Sequence, residues 1–332
     1  MPRRPISFEG RPLLDIASYA RRGPGRRDRL SPAEIDLIAR TVYRTPEVMV
    51  KVLTRGGQDF GAVRKHFEYM NRKGELEIET DDGQRLAGKG VERELIDDWD
   101  LDIEEGRSSS NLEARPGRRP PKLVHKILFS MPPGTPPQKV LEAVKNFARE
   151  EFGFKHRYAM VLHTDEPHPH VHMVIKAVSE QGKRLNIRKA TLRAWRAEFA
   201  RQLRVLGVPA NATERQIRGE SRPQKSDGIF RAGQRGQSTH LRERLDAVAR
   251  QVTKGQVQVD PGKAMLVQTR KEVLRGWQAA AESLVQQGHR DLAEQARLFA
   301  NQMLPPLSEQ EWTARQIVER AHESGVREGP IR

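Results

Sequence analysis

Apolar residues recur along this 332-residue chain in two rhythms, one of period two and one near 3.6. The first predicts strands at Val48–Leu53, Leu123–Ser130, Tyr158–Leu162 and Val171–Val178, with Gly56-Gly57 ending the earliest. The second predicts a helix over Gly61–Asn71, with Val63, Phe67 and Met70 on one side. It predicts another over Pro136–Phe152, where Val140, Leu141, Val144 and Phe147 form the stripe. A third runs from Thr191 to Leu206 with Leu192, Trp195, Phe199, Leu203 and Leu206 buried, and Gly207 stops it. Strands interleaved with helices give an α+β arrangement, a sheet covered by helices.

The polar stretches lie between and outside these elements. Residues 1–44 are basic, centred on Arg21-Arg22-Gly23-Pro24-Gly25-Arg26-Arg27-Asp28-Arg29. Within them Ser31-Pro32-Ala33-Glu34 carries the cap, proline and glutamate of a short helix start. Residues 104–122 read as a long polar loop, and 219–240, rich in Gly, Arg, Gln and Ser, as a linker. The remainder is helical, with Ser308–Glu311 as a capping box flanked by Leu307 and Trp312 as a staple.

One turn breaks the polar–apolar pattern in a way that carries chemistry. Four of the chain's ten histidines fall in His163-Thr164-Asp165-Glu166-Pro167-His168-Pro169-His170-Val171-His172. The flanking strands predict an antiparallel hairpin about the Asp-Glu-Pro turn. Side chains alternate faces along a strand, so His170 and His172 share one. With His163 opposite His170, three imidazoles converge above a sheet. Neutral imidazoles suit a divalent transition metal, and three of them leave positions open for Lewis-acid work on a phosphoryl oxygen. A lone strand histidine is usually structural, but four in ten residues are poorly explained that way. A rival is the His-apolar-His-apolar-His signature of nucleotide hydrolases. His168-Pro169-His170-Val171-His172 fits it loosely, since Pro169 suits the end of a turn better than mid-strand.

Charge narrows the partner. Lys plus Arg number 59 against 44 Asp plus Glu, a formal charge of +15, with an isoelectric point near 10.3. A polyanion is implied, nucleic acid or anionic lipid. No apolar run approaches the length of a membrane span, and the start of the chain has no signal-peptide pattern. Cysteine is absent, which excludes disulfides and thiolate metal sites. The expectation is a cytoplasmic protein without membrane insertion.

Metal and basic surface together suggest phosphodiester chemistry, which needs a nucleophile. Of Tyr19, Tyr43, Tyr69 and Tyr158, Tyr69 stands out, at a helix end beside Arg72 and Lys73. Nearby positive charge favours the phenolate form of an otherwise weak nucleophile. Read alone, Tyr69 is better taken as a half-buried helix aromatic. Tyr158 differs from His163 by an odd number of positions and is expected on the opposite face.

Two segments in combination, Phe67-Glu68-Tyr69-Met70-Asn71-Arg72-Lys73-Gly74 and His163–His172, resemble the DNA relaxases of conjugative and mobilisable elements. Within the single-tyrosine HUH superfamily, the likeness is to the T-DNA border endonuclease (VirD-type) kind. Phe129-Ser130-Met131-Pro132-Pro133-Gly134-Thr135 and Ala212-Thr213-Glu214-Arg215-Gln216-Ile217-Arg218-Gly219 are similar to two further family stretches, with Met131 for Phe and Glu214 for Ser. The tyrosine upstream of the histidines matches relaxases; no Tyr follows His172, as replication initiators and single-strand transposases of the superfamily would require.

The resemblance implies an HUH endonuclease-like fold, a mostly antiparallel central sheet, over residues 45–220. It leaves a basic extension at 1–44, a linker at 221–240 and a helical region at 241–332 outside it. It implies Tyr69 as nucleophile and His163, His170 and His172 as ligands of Mg²⁺ or Mn²⁺. Asp165 either orients a ligand histidine, the preferred role, or takes the tyrosine proton. Arg72, Lys73, Ser130, Arg215 and Arg218 are the expected DNA contacts. His168 is the extra histidine, with DNA contact, proton acceptance and filling of the turn all open. The implied reaction is nicking of single-stranded DNA at a transfer origin through a 5′-phosphotyrosyl intermediate. Accessory relaxosome proteins and a type IV secretion coupling protein are the implied partners, with translocation into a recipient cell. The rivals are a histidine-triad nucleotide phosphohydrolase and a non-catalytic basic nucleic-acid-binding protein.

Overall fold

The computed structural model describes residues 29–53, 56–101, 103, 106, 120–220, 243, 261–312 and 314–315. The basic cluster at 21–28, Tyr19, most of the 104–122 loop and the 221–240 linker lie outside the described residues. The chain divides into two compact units, Arg44–Ala212 forming the body of the first and Leu13–Tyr43 with Thr213–Arg332 the second.

The second unit begins with helix α1, Pro32–Val42. The expected capping box forms: Ser31 Oγ accepts from the Glu34 amide at 3.3 Å, and the Ser31 amide donates to Glu34 Oε2 at 2.8 Å.

The first unit is built on β1 (Met49–Leu53), helix α2 (Phe60–Met70), β2 (Ile78–Thr80), β3 (Arg85–Leu86), helix α3 (Val91–Asp98), β4 (Val124–Ser130), helix α4 (Pro137–Phe152), β5 (Tyr158–His163), β6 (His170–Lys176) and helix α5 (Lys189–Val205). The six strands form one sheet in the order β1-β4-β6-β5-β2-β3, every pairing antiparallel. The α+β expectation therefore holds.

Alternation along the strands separates two apolar layers. On one face Ile127, Phe129, Val171, Met173 and Ile175 pack with Val140, Val144 and Phe147 of α4 and Trp195, Phe199 and Leu203 of α5. On the other, Val124, Ala159, Val161 and Val174 meet Val63, Phe67 and Met70 of α2 and Leu95 and Ile96 of α3. Asp59 fixes the start of α2, its carboxylate accepting from the Ala62 amide at 2.6 Å.

Two strands and a helix are additions to the expected elements. β2 and β3 span three and two residues and α3 eight, too short and too charged for a periodic apolar signal. The Asp82-Gly83 pair, with Gly83 at φ 86°, is a hairpin signature that marks the β2–β3 turn.

The second unit continues with α6 (Pro261–Gln286) and α7 (Arg290–Asn301). Leu30, Leu37, Ile38 and Val42 are buried with Trp277, Ala280, Leu284, Ala296 and Phe299. The Trp277 indole donates to the Ile217 carbonyl at 2.9 Å. Residues 30–42, expected as the end of a basic extension, are thus core of this unit, because α1 presents an apolar face that needs a partner. Ile38→Ala is expected to cost about 2–5 kcal/mol, read as faster hydrogen exchange of α6 and α7 amides. Unchanged exchange would return residues 30–42 to the status of a separate arm. The expected box at Ser308 also forms, with the Ser308 amide donating to Glu311 Oε2 at 2.7 Å. Among the described residues no helix is long and apolar enough to cross a membrane.

Candidate active site

The β5–β6 hairpin places His163 directly across from His170, as the alternation required. His172 follows on the same face, two residues along β6. One nitrogen from each of the three rings lies within 4.8 Å of the others. Ring centroids are 5.2 Å apart for His163–His170, 4.7 Å for His163–His172 and 5.3 Å for His170–His172. His163 and His172 are buried and His170 is half-buried.

Hydrogen bonds set the tautomers. His163 Nε2 donates to the Met70 carbonyl at 2.7 Å, so its Nδ1 keeps a lone pair. His170 Nδ1 donates to the His168 carbonyl at 2.9 Å, which leaves Nε2 free to coordinate. His172 Nδ1 is buried and has no partner among the described residues. Burial, then the neighbouring His163 and His66, pushes His172 down to about 2. Burial also lowers His163; the Met70 carbonyl works the other way, and Arg72 and His170 add to the lowering. Buried imidazoles held neutral, with lone pairs converging and one nitrogen orphaned, fit a divalent metal.

Tyr69 stands on the last turn of α2, 46% exposed. Its ring meets His163 at 6.0 Å and His172 at 5.6 Å, edge-on in both cases. Immediately after it the chain enters the left-handed region at Arg72 (φ 52°), Lys73 (φ 58°) and Gly74 (φ 101°). Left-handed backbone at two successive non-glycine residues is strained. The turn brings Arg72 back over the Tyr69 ring, its guanidinium carbon 4.9 Å from the centroid. Arg72 Nη2 stands 3.3 Å from His163 Nδ1 and is ion-paired to Asp165. The small desolvation of Asp165 would raise its carboxyl, but Arg72 beside it holds it below the usual carboxylate range.

Asp165 pairs with Arg72, and the Met70 carbonyl accepts from His163 Nε2. Ser130 is buried on the histidine face, its Cα paired with that of His170. Lys73 and His168 are exposed. Arg215 and Arg218 belong to the second unit, where Arg218 donates to the Thr213 carbonyl at 2.8 Å and pairs with Glu220. Of the other tyrosines, Tyr158 packs in the opposite apolar layer, as expected, and Tyr43 lies in the second unit.

His66 is the site residue that sequence reasoning missed. It lies one helical turn before Tyr69, stacked on it at 6.1 Å and edge-on to His172 at 5.9 Å. Its Nε2 is buried without a partner among the described residues. Burial, with Lys126 and His163 behind it, lowers it to about 3. The i, i+3 spacing to Tyr69 was the available signal.

A pH dependence follows. His66 and His172 are neutral in the fold and take a proton only well below the ~6.5 of an unfolded histidine, and His163 is lowered in the same direction. In that interval the unfolded chain holds more protons, so their contribution is complete above pH ~6.5 and falls on acidification. Urea unfolding in chelator at pH 7.5, 6.0 and 5.0 should show stability dropping by up to about 1.4 kcal/mol per pH unit for each fully neutral histidine. A flat profile would mean that these rings are protonated in the fold.

Comparison with known proteins places this geometry. The nuclease-domain profile of the MobA/VirD2-like relaxases matches residues 69–205, beginning at Tyr69. The T-DNA border endonuclease VirD2 of Rhizobium radiobacter is 27% identical over 139 residues, 39% of this chain. The match spans 31% of that relative's length. The matched segment carries the tyrosine, Arg72, Asp165 and all three converging histidines: residues 69–205 are similar to the nuclease domain of the MobA/VirD2-like relaxases.

Proposed function

We propose that this protein is a DNA relaxase, exchanging one phosphodiester of single-stranded DNA at a transfer origin for a phosphotyrosyl bond. The observation that carries the reading is Tyr69, exposed and edge-on to two of three converging histidines. Its oxygen attacks the scissile phosphorus in line. The P–O3′ bond breaks, the 3′-oxygen leaves as a hydroxyl, and the 5′-phosphate stays on Tyr69. The bond energy is retained, so rejoining is the reverse of the same step.

His163 through Nδ1, His170 through Nε2 and His172 would hold Mg²⁺ or Mn²⁺. When bound, the ion supplies Lewis-acid polarisation of a non-bridging phosphate oxygen. The His163 Nδ1 lone pair, which Arg72 Nη2 faces at 3.3 Å, would be the one offered to the ion. Arg72, paired with Asp165 and placed over the Tyr69 ring, supplies positive charge for the phosphate. Lys73, Ser130 and His168 are the DNA contacts of the nuclease unit in this reading. Single-stranded DNA is the substrate, with relaxosome proteins and a type IV secretion coupling protein as partners in transfer or mobilisation from the cytoplasm.

The test is a covalent adduct. Single-stranded oligonucleotides tiled across the DNA flanking the gene are incubated with the protein and Mn²⁺. One of them should yield a protein–DNA species stable to boiling in detergent, with an extendable 3′-hydroxyl on the released fragment and no product in chelator. Cleavage without an attached 5′ end would replace the relaxase by a hydrolytic nuclease.

A further inference from the structure

Lys126 lies on β4 two residues before Leu128, which pairs with His172. By alternation its side chain leaves the sheet on the face that carries the histidines. It is 93% buried by residue area, since only 7% is exposed. The described residues offer it no compensating anion: the one charge that acts on it is another cation, Lys122. Burial first, and Lys122 second, hold its ammonium below the ordinary lysine range. An unpaired buried cation is costly to a fold.

A glycine keeps any side chain off the ammonium. Gly56, at φ 68°, turns the chain there, and a Cβ on it would lie 3.1 Å from Lys126 Nζ and 3.1 Å from the Ala62 Cβ. Gly57 lies flat against β4, where a Cβ would come within 2.5 Å of the Val124 carbonyl. This glycine pair lets the loop hug the sheet without capping the lysine. The site sits beside the catalytic constellation, since Lys126 also acts on His66, which stacks on Tyr69. A step of two residues along β4 is roughly 7 Å, so an extended strand on the histidines passes close to Nζ. The β1 partner of Leu128, Lys51, is exposed and adds a second cation on the same face.

We propose that Lys126, left uncovered by a side chain at Gly56, forms a phosphodiester subsite that grips the DNA strand beside the scissile phosphate. The occupant is a phosphate diester of single-stranded nucleic acid, whose charge is the anion that Lys126 lacks. Such a contact positions the strand without reading its sequence. It rests on the relaxase reading for its substrate, but it is read by binding rather than by cleavage.

The experiment compares wild type with Lys126→Met, Lys126→Gln and, as a control on the opposite face of the sheet, Lys139→Met. Each full-length protein is titrated with a fluorescent dT20 oligonucleotide across a range of salt, and its thermal midpoint is measured alone. Lys126→Met removes an unpaired buried charge, so its midpoint should stay level or rise. Its affinity should fall about tenfold, and its log–log salt slope should flatten by about 0.7. Lys126→Gln should repeat the affinity loss, which keeps the test decisive if Met fails to fold. Lys139→Met should bind as wild type. Unchanged affinity and slope in both Lys126 variants overturns the subsite. So does an affinity loss that tracks a lowered thermal midpoint, which is the mark of a purely structural lysine. Wild type that does not bind dT20 overturns it as well. Binding through Lys126 with no covalent adduct on any origin oligonucleotide would keep the subsite and remove the relaxase reading.

Discussion

Tyr69→Phe is expected to lower covalent adduct formation by on the order of 10³-fold or more, while affinity for single-stranded DNA stays near wild type. The substitution removes one oxygen and keeps the ring. The edge-on contacts with His163 and His172, the stack on His66 and the Arg72 guanidinium above the ring all survive it. Besides the attacking atom, the change removes only the hydroxyl's hydrogen bond with Arg72, which Asp165 still holds in place. The measurement is adduct yield on denaturing gels with saturating oligonucleotide, alongside anisotropy for binding. Undiminished adduct would sink the assignment and turn attention to Tyr43, exposed at the end of α1 in the second unit. Undiminished cleavage without any adduct would favour the histidine-triad hydrolase, which has no use for Tyr69. A protein that binds DNA and never cuts, with or without Tyr69, would be the basic binding protein.

Much of this site was legible because it depends on alternation. The period of two in β5 and β6 fixes which histidines share a face, and the short turn fixes His163 opposite His170. The parity of Tyr158 against His163 likewise placed that tyrosine in the other layer. What stayed hidden involves atoms or pairings that residue type does not encode. The carbonyl of Met70 orients His163, and any residue has a carbonyl. The left-handed backbone at Arg72 and Lys73 is unusual for both residue types, yet it swings Arg72 onto Tyr69 and Asp165. That swing pairs Asp165 with the arginine. The packing of α1 against α6 and α7 joins segments more than 200 residues apart, and the arginine-rich flank of α1 masked its apolar face. Lys126 looked like one more cation in a basic chain; its burial is visible only once β4 is central in the sheet.

The metal prediction separates the four hairpin histidines. Alanine at His163, His170 or His172 is expected to weaken Mn²⁺ binding by more than about 100-fold, because loss of even an outer partner of a ligand costs about 10- to 100-fold. Adduct formation should fall with it. His168→Ala should stay close to wild type for a structural reason: what His168 gives the site is its backbone carbonyl, which accepts from His170 Nδ1 at 2.9 Å and is retained by alanine. Its imidazole points into an exposed turn. Calorimetric Mn²⁺ titration of the four single variants decides the matter, with thermal midpoints as a control. Removing His163 or His172 also removes a buried neutral ring, so these two variants should lose some of the acid-dependent instability. Equal loss of affinity at His168 and His163 would mean that the turn, not the sheet face, holds the ion. Cleavage that survives at His172→Ala with metal binding abolished would uncouple the ion from the chemistry altogether. Arg72 would then have to neutralise the phosphate, since among the described residues its guanidinium already stands at His163 Nδ1 and over Tyr69.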